Sequence, residues 1–288
     1  MSRPLSVDGI REFADRFDAF IIDQWGVLHD GAAPYPGSID ALQALHERGK
    51  KLVLLTNSGR RASLNRERMT ELGFDTGILE GIVTSGEAAW KALSDRAFAP
   101  FDSLGRRCYL VTSGNDTGPV EGLDIEVVDD VGKADFLYFT FLQSSIEDIP
   151  RFDPLLERAL ERRLPFLCSN PDRVAVNAGG MTAAPGSIAA RYEAMGGEVA
   201  YVGKPHRPIY TACLAHLDGI AHDGIVCIGD SIEHDIKGAN DMGFASCFIR
   251  NGIHRDAFGK GVDEMSVIDR LTAEHGGRPD FALADFRW

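Results

Sequence analysis

With 288 residues, 44% of them hydrophobic, the chain carries enough apolar material for one large or two modest cores, which excludes a disordered chain. Thirty Lys and Arg against 43 Asp and Glu give a formal charge of −13, a field that repels phosphate backbones and anionic lipid, so no nucleic-acid or membrane partner is expected. No apolar run approaches the roughly 20 residues of a membrane-spanning helix, and the opening Met1-Ser2-Arg3-Pro4-Leu5-Ser6 leads into charged residues, so a soluble cytoplasmic protein is expected.

The first element in the chain is the continuous apolar run Ala19-Phe20-Ile21-Ile22-Asp23, which reads as a parallel strand buried on both faces and ending in an acid. Residues 38–48 then place Ile39, Leu42 and Leu45 at helical spacing with Gly49 as a stop. A second buried strand over 51–56, a helix over 63–72 and a third strand over 81–85 continue the alternation, which predicts a parallel α/β sheet. After a helix over 86–93, Pro100 and Gly105 break the pattern, and the middle of the chain reads as a separate α/β unit. Its predicted strands are 108–112, 125–128, 135–141 and 165–169, with helices near 154–163 and 187–195. A helix over 208–217 and a strand over 224–230 return to the style of the first third, so one core is expected to be interrupted by an insertion.

Five cysteines, Cys108, Cys168, Cys213, Cys227 and Cys247, are scattered with no Cys-x-x-Cys pair, which encodes neither a disulfide framework nor a zinc site and fits a reducing compartment. The triplet Asn115-Asp116-Thr117 matches a glycosylation acceptor and, with no secretory signal, reads as a coincidental loop.

Open parallel sheets bind ligands beyond the carboxyl ends of their strands, which draws attention to the polar residues closing the buried runs. These are Asp23; Thr56-Asn57-Ser58; Gly203-Lys204-Pro205 ahead of a helix; and Gly229-Asp230-Ser231 with Asp235. Carboxylates gathered at one spot resist joint ionisation unless a hard cation lies among them, and Mg²⁺ with oxygen ligands suits that role. One carboxylate can then act as nucleophile toward phosphorus, and Asp23 is the candidate. The Thr56 hydroxyl and nearby amides would hold phosphoryl oxygens while Lys204 neutralises charge. Singly, each of these residues also reads as a cap or an exposed turn.

Taken in order, Asp23-Gln24-Trp25-Gly26-Val27-Leu28, Leu54-Leu55-Thr56-Asn57-Ser58, Val202-Gly203-Lys204-Pro205 and Ile228-Gly229-Asp230-Ser231-Ile232-Glu233-His234-Asp235 resemble the four motifs of the haloacid dehalogenase superfamily. The Thr-Asn-Ser and Gly-Lys-Pro forms and the place of the insertion look like the NagD-like, class IIA branch, and Asn170-Pro171-Asp172 resembles a segment of that branch's cap. The resemblance implies a Rossmann-like parallel-sheet core over 1–86 and 199–288 with an inserted α/β cap of the C2 type over 87–198. It implies Asp23 as nucleophile and metal ligand, the backbone carbonyl of Trp25 as a second ligand, and Asp230 and Asp235 as metal supports, the last directly or through water. Thr56, Asn57 and Lys204 would hold phosphate, and Asn170 and Asp172 are candidate substrate contacts. The implied activity is Mg²⁺-dependent hydrolysis of a small phosphorylated metabolite through an aspartyl-phosphate, and a homodimer is an expectation of the resemblance.

One position departs from the pattern. Phosphatases of this family place a second Asp two residues after the nucleophile, as acid and base, where this chain has Trp25. An indole N–H is a donor only and shuttles no proton at neutral pH, and the help thus lost is typically worth about 10²–10⁴-fold. His29, Asp30 and His206 are the nearby candidates to replace it, although both histidines read equally as a turn cap and a solvated helix start. Trp25 itself reads either as a platform for an apolar or aromatic substrate part or, preferably, as a packing residue beneath the cap. The competing functions are a catalytically weakened metabolite-binding or regulatory protein and a metal-independent C–X bond hydrolase; Asp230 and Asp235 argue against the last.

Overall fold

In the computed structural model, residues 3–96, 99–112, 114, 116–142, 144–177, 180–259 and 261–288 are described, and Asn115 of the triplet above lies outside them. The chain starts with a short strand, β1 (Leu5–Ser6), and then lays down β2 (Ala19–Asp23), α1 (Ser38–Glu47), β3 (Lys51–Thr56), α2 (Ala62–Glu71) and β4 (Gly81–Thr84). All five residues of β2 are buried, as are the four central residues of β3, which is why these runs read as continuously apolar instead of alternating.

An α/β segment follows: α3 (Ser85–Asp95), β5 (Arg107–Val111), β6 (Glu126–Val127), β7 (Phe136–Phe139), α4 (Asp153–Glu161), β8 (Phe166–Cys168), β9 (Val174–Asn177), β10 (Gly180–Ala183), α5 (Pro185–Ala194) and β11 (Val199–Tyr201). The chain closes with α6 (Arg207–Leu214), β12 (Ile225–Gly229), α7 (Lys237–Met242), β13 (Ala245–Ile249), α8 (Glu264–His275) and β14 (Phe281–Leu283).

Two compact units result. The first comprises 1–56, 63–83 and 204–288; the second comprises 57–62 and 84–203. The first is built on a seven-stranded sheet in the order β1-β14-β13-β12-β2-β3-β4. Its strand β2 pairs in parallel with β12 on one side, Ala19 opposite Ile225, and with β3 on the other, Asp23 opposite Leu55. The chain order therefore reverses beside β2, a topological switch point of the kind where open α/β sheets bind ligands. The α/β class with a Rossmann-like parallel core is thus the observed one.

The first unit's core packs Phe20, Ile22, Leu52, Leu54, Val226 and Ile228 of the sheet against Leu42 and Leu45 of α1 and Met69 of α2. The tail belongs to this core: Phe281 and Phe286 are buried, and Phe281 stacks on Phe13 with ring centroids 4.4 Å apart and planes at 17°. Phe281→Ala removes a stacked ring from a filled site and is expected to cost about 3–5 kcal/mol in a denaturant titration.

The second unit has its own five-stranded parallel sheet, β11-β8-β7-β5-β6, and an antiparallel hairpin of β9 and β10. Phe139, Phe166, Leu156, Ile188 and Tyr192 fill its core, and the Tyr192 hydroxyl donates to the Leu164 carbonyl at 2.7 Å, satisfying the one polar atom the ring buries. The segment 57–62 joins this unit through the start of α3. Ser85 Oγ donates to the carbonyls of Asn57 and Ser58, Gly86 N to that of Ser58, and Arg61 clamps Glu87 with both Nε and Nη2. All five cysteines are buried and free. Among the described residues no helix is long and apolar enough to cross a membrane.

Candidate active site

Four of the residues singled out in the sequence meet in the first unit. Asp23 ends β2, Asp230 follows β12 directly, Asp235 lies in the π-helical turn Ile232–Ile236, and Lys204 precedes α6. All four side chains are buried. The Lys204 Nζ donates to Asp23 Oδ1 at 2.6 Å and to Asp235 Oδ1 at 2.8 Å. One oxygen from each of Asp23, Asp230 and Asp235 can be chosen so that all lie within 4.8 Å of one another.

Local structure explains how the sequence delivers these groups. The Ser231 hydroxyl accepts from His234 N and its carbonyl accepts from Asp235 N and Ile236 N, a capped and widened turn that returns Asp235 to the strand end. The Asp235 carboxylate is fixed further by Ser231 N at 3.1 Å. Asp230 is held by the backbone N–H of Ile253 at 2.7 Å. Gly26, with φ at +81°, passes so close to Asp230 that a Cβ there would lie 1.9 Å from its Oδ2, so the loop after Asp23 closes on the cluster only with glycine at this place.

One ammonium faces three carboxylates, and burial dominates the titration of Asp23 and Asp230. Burial pushes Asp23 up to about 7 against the opposing pull of Lys204, with Asp235 adding repulsion. Burial, then the charges of Asp23 and Asp235, drives Asp230 well above the usual carboxylate range. Lys204 resists the same burial because Asp23 and Asp235 together hold its proton, and it stays above its ordinary value. A cluster with more buried negative charge than its lysine can balance, made wholly of hard oxygen donors, has the chemistry of a divalent cation site.

Thr56 ends β3, one residue beyond the Leu55 that pairs with Asp23, and so stands at the same end of the sheet. Asn57, Asn170 and Asp172 belong to the second unit. There the Asn57 amide nitrogen donates to Asp172 Oδ1 at 2.7 Å, and Asn170 Oδ1 accepts from Asp172 N at 3.0 Å. The structure thus pairs Asn57 with Asp172, one of the two residues expected as substrate contacts.

Two candidates for a replacement acid, His29 and Asp30, are engaged as supports of local structure. The His29 ring is buried and its Nδ1 accepts from Gly31 N at 3.0 Å; burial, with Arg68 nearby, pushes it down to about 4. Asp30 Oδ1 accepts from both Ala32 N and Ala33 N at 2.8 Å, and those bonds hold its carboxyl below the usual range. His206 occupies the N-cap position of α6, and burial there pushes it down to about 4. Trp25 corrects the preferred sequence reading: its side chain is 47% exposed instead of packed away.

Sequence reasoning missed the loop after β13, where Gly252 and Ile253 hold Asp230. The signal available was a strand end followed by Asn251-Gly252, hidden because β13 itself was not recognised.

Comparison with known proteins bears on the family and the fold. The family model for haloacid dehalogenase-like hydrolases matches residues 20–126, and a second HAD-hydrolase-like model matches residues 201–274. The chain is 26% identical over 284 residues to a D-glycerol 3-phosphate phosphatase of Mycobacterium tuberculosis, covering 96% of this chain and 72% of that one. It is 34% identical over 93 residues to a dihydroxyacetone phosphatase of Corynebacterium glutamicum, covering 32% and 34% of the two chains. The crystal structure of a haloacid dehalogenase-like family hydrolase from Brucella suis superposes with a TM-score of 0.82 at 28% identity, covering 97% of this chain and 99% of that one. On its matched motifs, its fold and its carboxylate cluster, the chain belongs to the haloacid dehalogenase-like hydrolases.

Proposed function

We propose that this hydrolase releases phosphate from small phosphate monoesters by way of an aspartyl-phosphate on Asp23, as a member of the NagD-like, class IIA branch. The observation that carries the reading is the buried Asp23 at the end of β2, bonded to Lys204 and clustered with Asp230 and Asp235. The phosphatase names of the two relatives support it.

In this reading an Asp23 oxygen attacks phosphorus and the bond from phosphorus to the leaving oxygen breaks; water then displaces the carboxylate and frees inorganic phosphate. Lys204 orients the Asp23 carboxylate and offsets charge on the transferring group, and the Thr56 hydroxyl donates to a phosphoryl oxygen. A Mg²⁺ ion, held by Asp23, the Trp25 carbonyl, Asp230 and, directly or through water, Asp235, supplies positive charge to the phosphoryl oxygens when bound. The second unit takes the part of a cap, with Asn170 and Asp172 as its substrate contacts. Five buried free thiols suit a reducing cytoplasm.

The test is phosphate release from a panel of phosphorylated metabolites with Mg²⁺ and with chelator. Release that chelation abolishes and Mg²⁺ restores is expected, and release indifferent to chelation would revive metal-independent chemistry. A second reading, a metabolite-binding protein with weakened turnover, is favoured by the one observation of Trp25 in the acid–base position. Tight binding of a phosphorylated ligand with no product over hours would select it.

A further inference from the structure

Helix α6 meets the turn that carries Asp235 twice. Lys204, just ahead of the helix, donates to Asp235 Oδ1, and Tyr210, in its first turn, reaches the main chain of the same turn. The Tyr210 hydroxyl donates to the His234 carbonyl at 3.1 Å and, less closely, to the Asp235 carbonyl at 3.4 Å. The ring is fully buried and tilted against Phe244, with centroids 6.4 Å apart. A phenylalanine would fill the same space with no polar atom to satisfy, and a phenol taken out of water is costly without a partner. The hydroxyl is therefore explained by what it bonds.

The neighbouring helix makes room for it. A Cβ on Gly238, in α7, would lie 2.2 Å from the Tyr210 hydroxyl oxygen and 2.5 Å from ring carbon Cε2. Glycine inside a helix is unfavourable relative to alanine, so its place here follows from this close approach. The turn Ile232–Ile236 is π-helical, a rare form that lasts where its surroundings hold it. Lys204 Nζ and Ser231 N each take one oxygen of the Asp235 carboxylate, and Tyr210, from α6, grips the carbonyls behind it. Burial, then the charges of Cys227, Asp235, Cys213 and Asp23, drives the phenol well above its ordinary value, so it keeps its proton and stays a donor.

We infer that Tyr210 is a positioning residue: by holding the turn that carries Asp235 it sets how tightly the cluster of Asp23, Asp230 and Asp235 takes Mg²⁺, an inference that rests on the metal-dependent reading above. Tyr210 bonds to carbonyl oxygens and acts through the path of the main chain. Three carboxylates take a cation well when their oxygens already converge, and a turn free to relax would have to be reordered each time the ion binds. That cost falls on the affinity for the ion.

The experiment titrates the metal-stripped full chain with Mg²⁺, by calorimetry and by the shift in Tm, for the native protein and for Tyr210→Phe, which keeps the ring and loses the hydroxyl. Loss of a group that supports a ligand from behind typically weakens metal affinity about 10–100-fold, so the Mg²⁺ Kd is expected to rise about 10-fold or more. Phosphate release should then need correspondingly more Mg²⁺ and recover as the ion saturates. Gly238→Ala, which leaves Tyr210 in place and crowds its hydroxyl from α7, should weaken Mg²⁺ binding in the same direction. The control is Tyr192→Phe, which deletes the buried hydroxyl donated to the Leu164 carbonyl in the second unit; it should lower Tm and leave the Mg²⁺ Kd unchanged. A Tyr210→Phe protein that melts earlier yet binds Mg²⁺ as the native chain does would overturn the inference and leave the phosphatase reading standing. Failure of the native chain to bind Mg²⁺ would bring down the metal of that reading, and the inference with it.

Discussion

Asp23→Asn is expected to abolish turnover while leaving the fold intact. Asparagine keeps the shape of the side chain and an oxygen to accept from Lys204, so the strand end and its neighbours have no reason to move. What it loses is the anionic oxygen that the proposed mechanism uses to attack phosphorus, and loss of a nucleophile of this kind costs on the order of 10⁴–10⁶-fold in kcat. The cost to folding stays small, since Lys204 keeps Asp235 as a charged partner and a buried carboxylate pushed up to about 7 by desolvation is replaced by a neutral group. Phosphate release measured beside a denaturant titration separates the two effects. Native-like turnover in the stable variant would exclude covalent chemistry at Asp23.

Lys204→Met should do the opposite, damaging stability and activity together. It removes the ammonium that two buried carboxylates share and leaves Asp23 and Asp235 uncompensated. Breaking a buried pair by deleting one partner typically costs about 3–5 kcal/mol. The sign of the pH dependence follows from Asp23, whose folded pKa lies above its unfolded value near 3.8. The unfolded chain gives up this proton first, so the group favours folding at low pH, and that contribution is lost as pH rises from about 4 to about 7. Metal-free protein is therefore expected to be more stable near pH 5 than near pH 8, and Lys204→Met to steepen that trend. Added Mg²⁺ should restore stability at the higher pH in both proteins, measured as a shift in Tm. A metal-free Tm that rises across this range would contradict the assignment.

The parts of this molecule that were legible in the sequence are those where burial is continuous. The strands β2, β3 and β12 are apolar throughout and end in the polar residues that make the site, so a period count and a strand-end rule found them together. Strand β13 escaped because it begins Ala245-Ser246, and a serine in the middle of a sheet looks like a loop. Ser246 is tolerated there because its N–H and hydroxyl both reach Asp280, thirty-four residues on. The two-residue β1 and the three-residue β14 were beyond any periodicity.

The site divided in the same way. Asp23, Lys204, Asp230 and Asp235 were recognised through ordered motifs, whereas the support of Asp230 by Ile253 depends on a strand the pattern did not reveal. Joining 57–62 to the second unit rests on hydrogen bonds from Ser85 and Gly86, contacts between segments that nothing local in either one encodes. Trp25 shows the limit of residue-type priors. Tryptophan is apolar enough to expect inside, and only the path of the chain through Gly26 and Gly31 leaves it outside.

The pairing of Ala19 with Ile225, and of Leu5 with Phe281, has a consequence for how the chain is made. On a ribosome, β2 and β3 emerge early, yet the strand that covers the other edge of β2 is translated only after the whole second unit. Until then Asp23 sits on a half-sheet with an open, apolar edge, a template for wrong pairing. The second unit draws its sheet from strands lying close together in the sequence, and so can condense while the first unit waits. The insertion lengthens the interval in which an early strand needs protection, and the carboxylate cluster at the end of that strand is completed only when synthesis has passed Asp235.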